Sequence, residues 1–85
     1  MQIDAAKITE QGVTFAIVVV KRYVLSSSEK EEIRDSFTQY FGNIPIILMS
    51  QDSQGIPTYD GRTDIVDFLV DVPLECIPFS TYTFS

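Results

Sequence analysis

Apolar positions along the chain change their spacing several times, and each change marks an element. Residues Met1 to Ile8 alternate in part, with Met1, Ile3 and Ala5 on one side and Gln2, Asp4 and Ala6 on the other. Period-two spacing predicts a short edge strand. Thr9-Glu10-Gln11-Gly12 reads as a turn in which Gly12 is free to take positive φ. Val13 to about Val20, with Leu25 as its furthest limit, is dense in β-branched and aromatic residues, which suit a pleated surface. Together these segments predict a hairpin. Phe15-Ala16-Ile17-Val18-Val19-Val20 does not alternate, the pattern of a central strand covered on both faces.

Beyond Ser26-Ser27-Ser28 the spacing becomes helical. Ile33, Phe37, Tyr40 and Phe41 form one apolar stripe. Ser28 with Glu31 fits a capping box, and Glu29, Glu31 and Glu32 complement the helix dipole. Gly42 and Pro45 supply the stop. Ile44 to Ser50 predicts a second buried strand, with Pro45 at its start where a missing donor does little harm. A polar connection, Gln51 to Gly55, leads to a short strand at Ile56–Tyr59 and a turn at Asp60-Gly61. Ile65, Phe68, Leu69 and Val72 predict a second helix from about Arg62 to Asp71, capped by Thr63 or Asp60 and ended by Pro73. Ile77 to Phe84 predicts a final strand, which Pro78 pushes to an edge or to a later start.

The resulting order, ββαβ(β)αβ, predicts an α/β fold bordering on α+β. It is a small mixed sheet of four or five strands with two helices, in one domain spanning residues 1–85. A buried strand, a helix and another buried strand imply a right-handed crossover between parallel strands. With the strand at Ile56–Tyr59 the last six elements take the ferredoxin-like order; without it they form a small open sheet behind a hairpin. The apolar run Phe15–Val20 demands cover on both faces, either from helices on opposite sides or from a second copy of the chain.

Composition narrows the chemistry. The 85 residues include 12 acidic and 6 basic side chains, no His and one Cys, for a net charge of −6. The commonest general base and the imidazole metal ligand are absent, and one Cys excludes an internal disulfide or a Cys-rich zinc site. Lys7, Lys21, Arg22, Lys30, Arg34 and Arg62 are scattered among acids, so neither nucleic acid nor an anionic membrane is an expected partner. The longest apolar run, Phe15–Val20, is far short of the roughly 20 residues needed to cross a bilayer. Met1-Gln2-Ile3-Asp4 shows no basic segment followed by an apolar stretch, so no secretory signal is expected. The unpaired Cys76 then points to a cytoplasmic address.

The densest polar constellation runs from Asp52 to Asp64. Its candidate ligand-binding residues are Asp52, Tyr59, Asp60, Arg62 and Asp64. They flank a buried strand and open a helix, where ligands of open α/β sheets bind and where free N–H groups hold anions. Arg62 is suited to gripping phosphate or carboxylate in bidentate fashion. A hard cation on Asp52, Asp60 and Asp64 is the other option, although the spacing is not that of an EF-hand. The plainer explanation is a turn and a helix start. No catalytic residue, metal set or cofactor is expected. Cys76 has no His to serve it, and Ser26-Ser27-Ser28 lacks the Gly-rich run and Lys-Ser/Thr pair of a phosphate loop. Tyr23, Tyr40, Tyr59, Tyr82, Phe79 and Phe84 suggest either a docking surface or, the favoured option, a core packed on the first helix.

Gly55-Ile56-Pro57-Thr58 resembles the stretch of thioredoxin-like proteins in which a cis proline starts a strand. The resemblance implies a cis Pro57. The active-site Cys-x-x-Cys of that family is replaced by Leu25-Ser26-Ser27-Ser28, so it implies an adaptor without redox activity. The residues themselves favour a small non-catalytic protein-interaction or ligand-binding module, associating with a protein partner or with itself. A metal- or phosphate-dependent site at residues 52–64 is the alternative.

Overall fold

The computed structural model describes residues 2–84; Met1, the first residue of the expected opening strand, lies outside them. Five strands form one mixed sheet in the order β4-β3-β2-β1-β5. The strands are β1 (Gln2–Glu10), β2 (Val13–Val19), β3 (Ile46–Gln51), β4 (Pro57–Asp60) and β5 (Ser80–Thr83). The β2–β3 pair is parallel and the other pairs are antiparallel. Short helices α1 (Arg22–Leu25), α2 (Lys30–Ser36) and α3 (Thr38–Phe41) connect β2 to β3, while α4 (Thr63–Val70) and a 3-10 turn at Leu74–Cys76 connect β4 to β5. This is the expected small α/β architecture.

The two connections lie on opposite faces. Val24, Phe37 and Phe41 pack with Ala5, Ala16, Val18, Ile46 and Leu48 on one side of the sheet. Ile65 and Leu69 pack with Ala6, Phe15, Ile17, Ile47 and Met49 on the other. Successive strand residues point to opposite faces, so a strand feeding both clusters reads as an unbroken apolar run. That is why Phe15–Val18 and Ile46–Met49 are buried throughout. Cover from both sides comes from within the chain, and the need for a second copy over the sheet disappears.

Several expectations require correction. β1 is no edge strand: β5 pairs with its first half, and Ala5 and Ala6 are fully buried. Alanine is too small to announce burial in a sequence pattern. The second strand stops at Val19 and the chain turns into α1, so Leu25 belongs to a helix. The capping box at Ser28 does not form; Ser27 Oγ instead accepts from the Glu29 N–H at 3.0 Å. The first helix is divided at Phe37 into α2 and α3. Tyr40 and Phe68, both assigned to apolar stripes, are 41% and 39% exposed. Neither Thr63 nor Asp60 caps α4, whose cap residue is Arg62 with no side-chain bond. The element order is the ferredoxin-like one, but the pairing is not. β2 and β3 are direct neighbours with β4 outside them, whereas the split βαβ unit places another strand between.

The β1–β2 hairpin turns on two residues, Gln11 (φ 50°) and Gly12 (φ 80°), between paired Glu10 and Val13. Positive φ at both positions matches the twist of the flanking strands. At the far edge β5 starts after Pro78, as the proline requires. Phe41 meets Tyr82 edge-on at 5.3 Å, and Tyr40 stacks on Phe84 at 4.0 Å. The aromatic residues of the last strand are therefore largely packed on the helical layer. Among the described residues no helix is long and apolar enough to cross a membrane.

Candidate functional site

Antiparallel pairing of β3 with β4 separates the residues that the sequence grouped together. Asp52 belongs to the turn after β3, where its N–H bonds the Ile56 carbonyl. Asp60 lies four residues beyond Ile56, alongside Leu48. At about 3.3 Å per strand residue the two backbone positions are about 13 Å apart. Asp52 lies just past the carboxyl end of β3, and Asp60 lies beside Leu48, in the first half of that strand.

Each member of the group has work within the fold. Asp52 Oδ1 accepts from the N–H groups of Gln54 (2.8 Å) and Ile56 (2.9 Å). The Ile56 and Gln54 bonds hold its carboxyl below the usual range. It shapes the turn, an ordinary use of Asp. Tyr59 packs toward the α4 cluster; its hydroxyl is buried without a partner and burial raises its pKa. Arg62 donates through Nε and Nη2 to both oxygens of Asp64, at 2.8 and 2.9 Å. This exposed fork lowers the Asp64 pKa and raises that of Arg62.

Asp60 ties layers together. Its Oδ2 accepts from Lys30 Nζ at 2.9 Å, and its Oδ1 from Arg34 Nη2. Arg34 Nη1 also donates to the carbonyls of Asp60 (3.1 Å) and Ile46 (3.3 Å). Burial alone would raise the Asp60 carboxyl, but bonds and charge from Lys30 and Arg34 outweigh it and hold it low. Gly61 permits this approach: a Cβ there would lie 2.5 Å from Ile47 Cδ1 and 3.2 Å from both Arg34 Nη1 and the Ile46 carbonyl. A cleft of about 500 Å³ opens beside the network, lined by Glu31, Arg34, Pro45, Ile46, Asp60, Gly61 and Arg62. Arg34 Nε is buried without a partner among the described residues. Among the described residues, no three Asp, Glu or Cys side chains are grouped to hold a metal ion.

No family model, curated protein or solved structure matches this chain. The described backbone contains no cis peptide bond, so the Ile56–Pro57 bond is trans and the feature implied by the thioredoxin-like stretch is absent.

A different place has the makings of a binding site. At the carboxyl ends of β2 and β3, on the α4 face, a cavity of about 380 Å³ is lined by Val19, Met49, Leu74 and Phe79 and by Asp4, Gln51, Ser80 and Thr81. Thr81 Oγ1 donates to Asp4 Oδ1 at 2.7 Å across the β1–β5 pair. Apolar walls with a few polar groups are the usual composition of a ligand pocket. Sequence reasoning missed these residues because they come from β1, β2, β3, β5 and the turn before it. No pattern within any one of these segments could have found them, because the order of the strands is what brings them together.

Proposed function

We propose that this chain is a non-catalytic binding module whose ligand or partner segment sits in the cavity on the α4 face of the sheet, near the carboxyl ends of β2 and β3. The observation that carries the reading is that cavity, lined by both apolar and polar side chains. It is supported by the engagement of Asp52, Asp60, Arg62 and Asp64 in bonds within the chain. Titration with a small library of fragments, followed by backbone amide shifts, tests it. Responses are expected to cluster at Val19, Met49, Gln51, Leu74 and Phe79. Clustering at residues 60–62 instead, or no clustering, refutes it. The free, exposed Cys76 supports a reducing compartment, the cytoplasm being the simplest. Self-association loses the motive that a bare sheet face would supply, and light scattering at micromolar concentration is expected to return the mass of one chain.

A phosphate-dependent site is the second reading, favoured by the unpartnered Arg34 Nε beside the larger cleft. Its competitors for the same guanidinium are Glu31 and Asp60. Inorganic phosphate or Mg²⁺ at millimolar concentration should then shift amides of residues 60–64, and silence there rejects it.

A further inference from the structure

We propose that the cavity on the α4 face, near the carboxyl ends of β2 and β3, takes a small primary amine carried on a compact apolar body. The inference rests on the binding-module reading and adds the chemistry of the ligand. Start with why the space exists. α4 has eight residues, a length of about 12 Å at 1.5 Å per residue. β1 beneath it has nine residues, about 30 Å at 3.3 Å per residue. One short helix cannot roof the whole face, and the 3-10 turn at Leu74–Cys76 extends the cover only in part. Val19, Met49, Leu74 and Phe79 wall the remainder.

The polar residues lining the cavity are Asp4, Gln51, Ser80 and Thr81. Among the described residues Asp4 is the one charged residue lining it, and no Lys or Arg does so. The Thr81 hydroxyl occupies Asp4 Oδ1 and steadies the carboxylate, leaving Oδ2 with acceptor capacity. Gln51, on β3 two strands from Asp4, turns its Nε2 to the Gly55 carbonyl at 3.0 Å. A ligand that meets Asp4 Oδ2 must bring a donor, and an ammonium brings three. The net charge of −6 draws a cation in and repels an anion. A volume of about 380 Å³ is near the lower end for ligand pockets, ample for one aromatic ring on a short arm.

The test uses three probes of one shape on the full chain: 2-phenylethylamine, 2-phenylethanol and 3-phenylpropionate, followed by amide shifts at low ionic strength. The amine is expected to shift Asp4, Val19, Gln51, Leu74 and Phe79 at millimolar concentration. It should bind about fivefold more tightly than the alcohol, the size of a solvent-accessible ion pair, with the carboxylate weakest. Asp4→Asn keeps an acceptor for Thr81 and should erase the advantage of the amine while leaving the alcohol unchanged. Should the variant misfold, loss of that advantage in 0.5 M NaCl on the native chain gives the same readout. Equal binding of amine and alcohol, or tighter binding of the carboxylate, overturns the ammonium assignment and leaves the cavity reading standing. Silence from all three probes at the cavity overturns both.

Discussion

Replacing Asp60 by Ala removes the carboxylate that joins α2 to the end of β4. In the native chain it accepts from Lys30 Nζ at 2.9 Å and from Arg34 Nη2. The Arg34 side chain is 13% exposed and that of Asp60 30%, so the network is neither a surface pair nor a fully buried one. Exposed pairs contribute about 0–1 kcal/mol, and stripping one partner from a buried pair costs about 3–5 kcal/mol. Partial exposure places the loss between these, at about 2 kcal/mol. With an unfolding entropy of about 2.1 cal/mol/K per residue, that lowers the melting temperature of a domain this size by about 11 °C. The effect has a pH signature. Lys30 and Arg34 hold the Asp60 carboxyl below its ordinary range against the opposing effect of burial. A carboxyl lowered on folding stabilises above its unfolded pKa, and the contribution fades as pH falls through the folded value. Urea denaturation at pH 7 and toward about pH 2 should therefore show Asp60→Ala and the native chain converging in acid. Asp60→Asn, without a charge, should lose part of the stability and show the same convergence. A difference under about 0.5 kcal/mol at pH 7, or one that persists undiminished in acid, would refute the account.

Gly61→Ala is expected to cost about 1–3 kcal/mol through overpacking against Ile47 Cδ1 and the Ile46 carbonyl. Adding Ile47→Val, which deletes that Cδ1, should recover part of the loss in a double-mutant cycle; strict additivity would count against the contact. Ile47→Ala, at a position with no exposure in the second of two central parallel strands, should lose about 3–4 kcal/mol by chemical denaturation. Gln11 takes φ 50° before Gly12, so Gln11→Asn, which tolerates that region, should gain about 0.5–1 kcal/mol; an unchanged midpoint would show that the hairpin turn carries little strain.

The elements that local pattern encodes strongly are the ones that match the structure. Phe15–Val18 and Ile46–Met49 are buried throughout because apolar residues facing both ways can only lie between two layers. Ile33, Phe37 and Phe41, and likewise Ile65 and Leu69, turn inward because helical spacing puts them on one side. The end of β2 was less legible. Tyr23, Val24 and Leu25 continue the apolar composition of the strand, yet they form α1, with Tyr23 exposed and Val24 buried. Four residues are too few for either period to declare itself.

What this sequence determined by itself is where the two central strands and the main helical stripes lie, since these follow from spacing within about ten residues. The tertiary structure decided which segments meet. It buried Ala5 and Ala6 by bringing β5 to β1. It drew Asp60 to Lys30 across 30 positions and Asp4 to Thr81 across 77. It parted Asp52 from Asp60 by folding β4 back along β3. Hydrogen-bond register and charge pairing are properties of two segments at once, and no periodicity within one of them encodes its partner.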